Sequence, residues 1–351
     1  MPDLSLDAVR SASDRAFTNT SPSPTHVMLA GRVVRFEVAG AALFDRLFPA
    51  LAHLELSRPD ASTDALPHAS VALTVRIWDT AETGVGHPQP AVADPGMNGV
   101  VTVSDDRQRV RHDRRTSTAW LDRERGELFA CFPSAAATSL YDRGKPLHLP
   151  LAVWHLDRGI PLIHAGVVAR HGRGVLFPGK GGSGKTTASL SCALAGYDYV
   201  GDDCVGVDLG MQRHVIAHSV FGSANVAPHH LSRFPSLVPH AIAGTMPDED
   251  KHLVLLRPLL PRPLSRLATV RAIVMPTIAG HAATRLVPAT RADALRTLAP
   301  STLLFFPGAA AGQMAFLAEL VAAVPCYRLE MSPRLEEIPA CLDEFLGSAA
   351  S

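Results

Sequence analysis

Apolar residues follow two rhythms along this chain. In the first part, β-branched and aromatic residues cluster, often alternating, over residues 27–38, 71–77, 100–103 and 118–132, which predicts strands. Leu43, Phe44, Leu47, Leu51 and Leu54 instead recur at helical spacing. They predict a helix over 41–54 that Pro49 kinks or shortens. Residues 84–99 are rich in Pro and Gly and predict a long loop. Residues 1–25, rich in Ser, Thr, Asp and Pro, predict a mobile tail. Residues 26–145 are therefore expected to form a β-rich α+β domain.

From about Leu147 the rhythm changes to strand–helix alternation. A helix is predicted over 149–157, strands over 161–170 and 174–178, a helix over 185–195 and a strand over 197–201. Further strands are predicted at 204–209, 252–256, 268–275, 285–287 and 327–330. Thr290 with Asp293 resembles a capping box opening a helix to Leu298, and Pro339 is placed to open a last helix. Residues 312–324 are apolar on nearly every side and predict a buried helix. The second domain is drawn as 146–347.

Composition narrows the function classes. The 351 residues carry 33 Lys+Arg and 33 Asp+Glu, a formal net charge of zero, with 47% apolar and 19% charged residues. That length and apolar content supply ample core for two domains. The balanced charge lacks the basic excess of a nucleic-acid binder. The apolar stretches 272–280 and 303–312 are interrupted by Pro276 and Pro307 and fall well short of the ~20 residues of a membrane span. Five widely spaced cysteines, with no C-x-x-C, suggest neither a disulfide framework nor a zinc ribbon. Residues 1–14 are polar, with no apolar signal segment, so a reducing cytoplasm is expected. Charges cluster at 105–125, where interleaved acids favour a solvated hairpin over a phosphate-binding face.

Only four lysines occur, Lys145, Lys180, Lys185 and Lys251, and two of them fall in one motif. Gly179-Lys180-Gly181-Gly182-Ser183-Gly184-Lys185-Thr186 fits G-x-x-x-x-G-K-[ST] completely, between a predicted strand and a predicted helix. Glycines let consecutive backbone N–H groups turn inward on phosphate oxygens, and the helix N-terminus adds partial positive charge. In that setting Lys185 reaches the β- and γ-phosphates, and the Thr186 hydroxyl ligates Mg²⁺.

Asp202 and Asp203 follow Lys185 at the end of the next predicted strand. A ten-residue helix and a turn return the chain beside the strand that feeds the loop, so both carboxylates are expected near the phosphates. One can hold Mg²⁺ and the other can accept a proton from an attacking hydroxyl. His164 stands in the apolar run 162–168, where it is either a core residue or a third catalytic group.

Taken together, His164-Ala165-Gly166, Gly174–Phe177, the loop Gly179–Thr186, Ala195-Gly196 and Gly201-Asp202-Asp203 resemble the catalytic domain of HPr kinase/phosphorylase. The resemblance covers residues 150–210 closely and 210–347 loosely. It implies an α/β P-loop kinase domain of the HPr kinase/PEP-carboxykinase-like type, here behind an N-terminal β-rich α+β domain. It also implies transfer of the γ-phosphate of ATP, with Mg²⁺, to a serine hydroxyl of a small protein or precursor peptide. Lys185 would then bind the β/γ-phosphates within a nucleotide site formed by Gly179, Lys180, Gly181, Gly182, Ser183, Gly184, Thr186 and Thr187. Thr186 and Asp203 would hold Mg²⁺, Asp202 would be the general base, and His164 would hydrogen-bond the acidic pair and tune it. Self-association is implied as well. The Gly-rich loop that the family uses with its protein substrate is not found after Asp203, and residues 26–145 do not match the family's N-terminal domain.

A small-molecule kinase on the same scaffold, and a non-catalytic nucleotide-binding module, are the alternatives. Lys251, in Asp248–Lys251, and Arg271 and Arg285 are further candidates for charge contacts, and His229-His230 reads as a surface turn.

Overall fold

The computed structural model describes residues 5–56, 70–89, 92–96, 99–210, 214–246, 249–278, 280, 282–305 and 310–348. The chain is a mixed α/β protein whose backbone divides into two compact units, Met1–Trp154 with Ala243–Asp250, and His155–Ile242 with Lys251–Ser351. The division falls at Trp154/His155, where the pattern had placed it between 145 and 146. The segment 243–250 groups with the first unit, an association that residues distant in sequence do not announce.

Among the described residues, the first unit is built on a mixed sheet of seven strands: β1 (Thr25–Leu29), β2 (Arg32–Ala39), β3 (Leu73–Asp79), β4 (Val100–Val103), β5 (Arg109–Asp113), β6 (Thr118–Asp122) and β7 (Glu127–Phe132). Their spatial order is β1-β2-β3-β7-β6-β5-β4. The helix predicted at 41–54 is α2 (Ala41–Leu47), which gives way to 3₁₀ turns at Pro49 because proline has no N–H to continue the ladder. Two expectations are corrected here. Residues 7–20, expected to be a mobile tail, form helix α1 (Asp7–Thr20), with Val9, Ala12, Ser13 and Ala16 buried along one stripe. That stripe joins a core with Trp78, Trp120 and Phe129. Arg10 fixes the helix further through Asp122 at 2.5 Å and Glu127 at 3.0 Å. The charged stretch 105–125, expected to be a solvated hairpin, does turn in solvent at Asp105–Arg107 and again at Glu124–Arg125, but between those turns it forms two interior strands, β5 and β6. Arg111 pairs with Asp113 at 2.7 Å, and Arg114 with Asp142 at 2.8 Å.

Short helices α3 (Thr80–Thr83) and α4 (Leu140–Gly144) follow α2 in the first unit, and helix α5 (His148–Leu156) leads into the second unit. Its sheet contains β8 (Leu162–Ile163), β9 (Ala165–Arg170), β10 (Arg173–Pro178), β11 (Asp198–Gly201), β12 (Val205–Leu209), β13 (Val215–Ser219), β16 (Leu267–Ile278), β17 (Arg285–Pro288) and β18 (Cys326–Met331). Along its main path the order is β11-β9-β10-β16-β13-β12-β8, with β18 pairing β16 and β17 pairing β18. The long β16 carries β10 on one side and, in tandem on the other, β13 through Leu267–Val270 and β18 through Ile273–Ile278.

Because alternate strand residues face opposite sides, one sequence run feeds two cores. Val175 and Phe177 pack with Ala188, Leu190 and Ala193 of α6 (Lys185–Leu194) and with Ile338, Leu342 and Leu346 of α10 (Glu337–Ser348). Leu176 packs on the other face with Ala294 and Leu298 of α8 (Arg291–Phe305) and Leu317, Leu320 and Val321 of α9 (Ala310–Ala323). Helix α9 corrects a third expectation. Residues 312–324 are apolar all round, yet only one face is buried, while Met314, Ala315 and Ala318 are exposed. A two-stranded sheet pairs β14 (Ser223–Val226) with β15 (His252–Leu255). No helix among the described residues is long and apolar enough to cross a membrane.

Candidate functional site

Strand pairing gathers the candidate residues of the second unit at one end of the sheet. β9 lies between β10 and β11 and runs antiparallel to both, so the C-terminal ends of β10 and β11 flank the N-terminal end of β9. Ala165 pairs with Pro178, the residue before Gly179, and Gly201, the residue before Asp202, pairs with Val167. The loop Gly179–Gly184, His164 and the Asp202-Asp203 pair therefore emerge side by side. Two strand spacings of about 4.8 Å separate the strand that ends in the loop from the strand that ends in the acids.

Within the loop, backbone conformation explains the glycines. Gly179 (φ 145°), Gly182 (φ 80°) and Gly184 (φ 99°) occupy the left-handed region. A Cβ at Gly179 would lie 2.4 Å from Ser183 Oγ, and one at Gly184 would lie 2.3 Å from Met331 Cε. Gly184 caps α6, and its carbonyl accepts the N–H of Ala188 at 2.9 Å. Lys185 is buried and folds back across the loop, its Nζ donating to Gly179 O at 2.6 Å and Lys180 O at 3.3 Å. Lys180, Gly181 and Gly182 are exposed, Ser183 and Thr186 half-buried and Thr187 buried.

The predicted strand 161–170 is interrupted at His164, which lies between β8 and β9. Its backbone N–H donates to the buried Thr302 Oγ1 at 3.3 Å. Its Nδ1 lies 3.0 Å from Asp203 O, and since a carbonyl only accepts, Nδ1 carries the proton. Nε2 lies 3.9 Å from Asp203 Oδ1. Asp203 has φ 62°, a left-handed conformation uncommon for a non-glycine residue. Asp202 is only 1% exposed. Gly166 faces it so closely that a Cβ there would stand 3.1 Å from Asp202 Oδ1 and 2.3 Å from Ser189 Oγ. Below the pair, Tyr199 donates its hydroxyl to Ser223 O at 3.0 Å. Burial, with the nearby charges of Asp202 and Asp203, holds that phenol well above its ordinary range.

The remaining sequence candidates lie elsewhere. Arg285 is spent on a cross-strand pair with Glu330 at 2.6 Å. Arg271 and Lys251 are exposed, and Asp248 lies outside the described residues. His229 and His230 sit on the short helix α7 (Pro228–Leu231). No group of three or more His, Cys, Asp or Glu suited to a metal ion occurs among the described residues. Three features were missed from the sequence: Gly166 and Ser189 against Asp202, Thr302 under His164, and the left-handed turn at Asp203. A glycine directly after His164-Ala165 was the one visible trace of the first.

No family model and no curated protein matches this chain. Among solved structures it is similar to the Hpr(Ser) kinase/phosphatase from Coxiella burnetii, at 10% sequence identity over 54% of this chain and 95% of that one, with a TM-score of 0.27. The likeness is weak and at most one of fold.

Proposed function

We propose that the second unit is a Mg²⁺- and ATP-dependent kinase that phosphorylates a serine hydroxyl of a small protein or precursor peptide. The observation that carries this reading is the convergence, at one sheet end, of a complete phosphate-loop motif with a buried carboxylate pair and a histidine that touches it. A non-catalytic nucleotide module needs the loop alone.

The residues fit the substrate's phosphates. Three left-handed glycines turn the loop backbone into a cradle, and a side chain at 179 would press on Ser183 within it and one at 184 on Met331 behind it. Lys185 already reaches back over that cradle, where its charge would bind the β- and γ-phosphates. They fit Mg²⁺ too, since the Thr186 hydroxyl and the Asp203 carboxylate are hard oxygen donors. When bound, Mg²⁺ neutralises charge on the β- and γ-phosphate oxygens. Phosphoryl transfer passes through a loose transition state, so the protein's task is positioning and charge neutralisation. Asp202 would accept the proton of the attacking hydroxyl. His164 is a positioning residue, holding the backbone of Asp203 and through it the turn that carries both carboxylates. The first unit would present or select the acceptor.

The test is the fate of a γ-labelled phosphate. The purified protein, Mg²⁺ and labelled ATP are incubated with a fraction of small proteins and peptides from the source cell. Label in an acid-stable product that yields phosphoserine on hydrolysis supports the reading. Label recovered only on a small molecule overturns the protein-acceptor part, and no transfer at all overturns the kinase.

A further inference from the structure

A cavity of about 250 Å³ opens directly beside the phosphate loop, within the second unit. Its walls include Thr187, Arg233, Ile278, Met331, Ser332 and Leu335. We infer that it receives the purine base of the nucleotide whose phosphates the loop would hold. This inference rests on the nucleotide-binding part of the function proposed above.

Position is the first argument. Thr187 follows Thr186 on α6, so the cavity begins one residue from the loop. Met331 and Ile278 form its wall toward the last glycine: a Cβ at Gly184 would meet Met331 Cε at 2.3 Å and Ile278 Cγ1 at 3.7 Å. A group bound here and phosphates bound by the loop would share one backbone turn.

Size and chemistry agree with a base. Pockets that enclose drug-sized ligands run to roughly 300–1,000 Å³, so 250 Å³ suits a single bicyclic ring with its sugar outside. Ile278, Met331 and Leu335 offer flat apolar contact, and a thioether packs well on an aromatic ring. Arg233 adds a planar guanidinium suited to stacking on a π-face. It is fixed there by donating to Pro333 O at 2.7 Å. Ser332 is committed to the scaffold, donating to Glu337 Oε2 at 2.7 Å, and the same carboxylate oxygen accepts from Thr284 N at 2.7 Å. The wall is thus rigid on one side. The lining combines aliphatic faces with one cation, which suits an uncharged ring.

Titration calorimetry on the full chain, with Mg²⁺ present, compares ATP with inorganic tripolyphosphate, which carries the phosphates without base or sugar. The wild type is expected to bind ATP at least tenfold more tightly. Leu335→Trp fills the cavity from a half-buried position, and Ile278→Trp from a rim residue that is 63% exposed. Each is expected to bring ATP down to the level of tripolyphosphate and to leave tripolyphosphate within twofold, which also reports a folded loop. Equal binding of the two ligands by the wild type overturns the base site and leaves the phosphate loop standing. Both variants keeping the wild-type preference for ATP, or both losing the two ligands together, overturn the base site as well. A wild type that binds neither ligand overturns the nucleotide reading and this inference with it.

Discussion

His164 and Asp203 are joined through the backbone: the imidazole Nδ1 lies 3.0 Å from the Asp203 carbonyl oxygen, while Asp203 itself adopts φ 62°. A left-handed aspartate costs of order 1–3 kcal/mol and persists only where its surroundings over-determine it. Here the surroundings include the histidine. His164→Ala is therefore expected to loosen the turn that carries both carboxylates. An error of about 1 Å in such positioning costs about 10²-fold in rate. Turnover should fall by that order, with ATP affinity kept within threefold. Steady-state kinetics beside calorimetry check the split; a loss confined to ATP affinity contradicts it.

Gly166 is expected to tolerate nothing larger. Its missing Cβ would stand 2.3 Å from Ser189 Oγ and 3.1 Å from Asp202 Oδ1. Overpacking of this kind costs about 1–3 kcal/mol, so Gly166→Ala should lower the denaturation midpoint and displace Asp202. Ser189 is fully buried and its hydroxyl finds no hydrogen-bond partner among the described residues. Ser189→Ala alone should then cost under about 1 kcal/mol or stabilise. Combined with Gly166→Ala it should recover part of the loss. A double-mutant cycle that is strictly additive contradicts the contact.

The phosphate loop was legible in the sequence because its parts are local. Glycines, lysine and hydroxyl sit within one turn, and the motif names two of the loop's three glycines at positive φ, Gly179 and Gly184. The Gly166–Ser189–Asp202 contact was not legible, since three separate segments meet there and no residue type marks the meeting. His164 was visible as a residue, but its break between β8 and β9 lay hidden in an unbroken apolar run. Helix α1 was missed because its buried stripe is mostly alanine and serine, which barely raise the hydrophobic pattern. Strand β5 was missed because its alternating charges look solvated, whereas Arg111 pairs with Asp113 and Asp113 accepts from Thr118 on the neighbouring strand β6.

Lys185 is the loop's charge contact, and Lys185→Met keeps most of its length while removing that charge. Bonds to charged groups are worth about 1.5–3 kcal/mol. ATP affinity should thus drop tenfold or more, with circular dichroism unchanged. Calorimetry checks this, and an affinity within twofold of the wild type contradicts the assignment.

His155 makes folding of the second unit sensitive to acid. Its burial, with the neighbouring charges of His218 and Arg158, pushes the imidazole down to about 3. The unfolded chain takes up that proton near pH 6.5. Stability is therefore full above about 6.5 and falls as the pH drops toward 3, by up to about 1.4 kcal/mol per pH unit from this group. Urea midpoints measured from pH 7 to pH 5 should decline. His155→Gln should flatten the decline, and an unchanged slope in that variant contradicts it.

The carboxylate beside the loop is expected to take part in the chemistry and not merely in binding. Asp202→Asn keeps the shape of a side chain that is 1% exposed and removes its basicity. The decisive measurement is single-turnover transfer of γ-labelled phosphate in the wild type and Asp202→Asn, alongside the ATP dissociation constant of each. General-base contributions run to about 10²–10⁴-fold. A loss of at least 10²-fold in transfer is expected, with ATP binding within threefold. Equal transfer by the two proteins, or a loss of transfer matched by an equal loss of ATP binding, would contradict it.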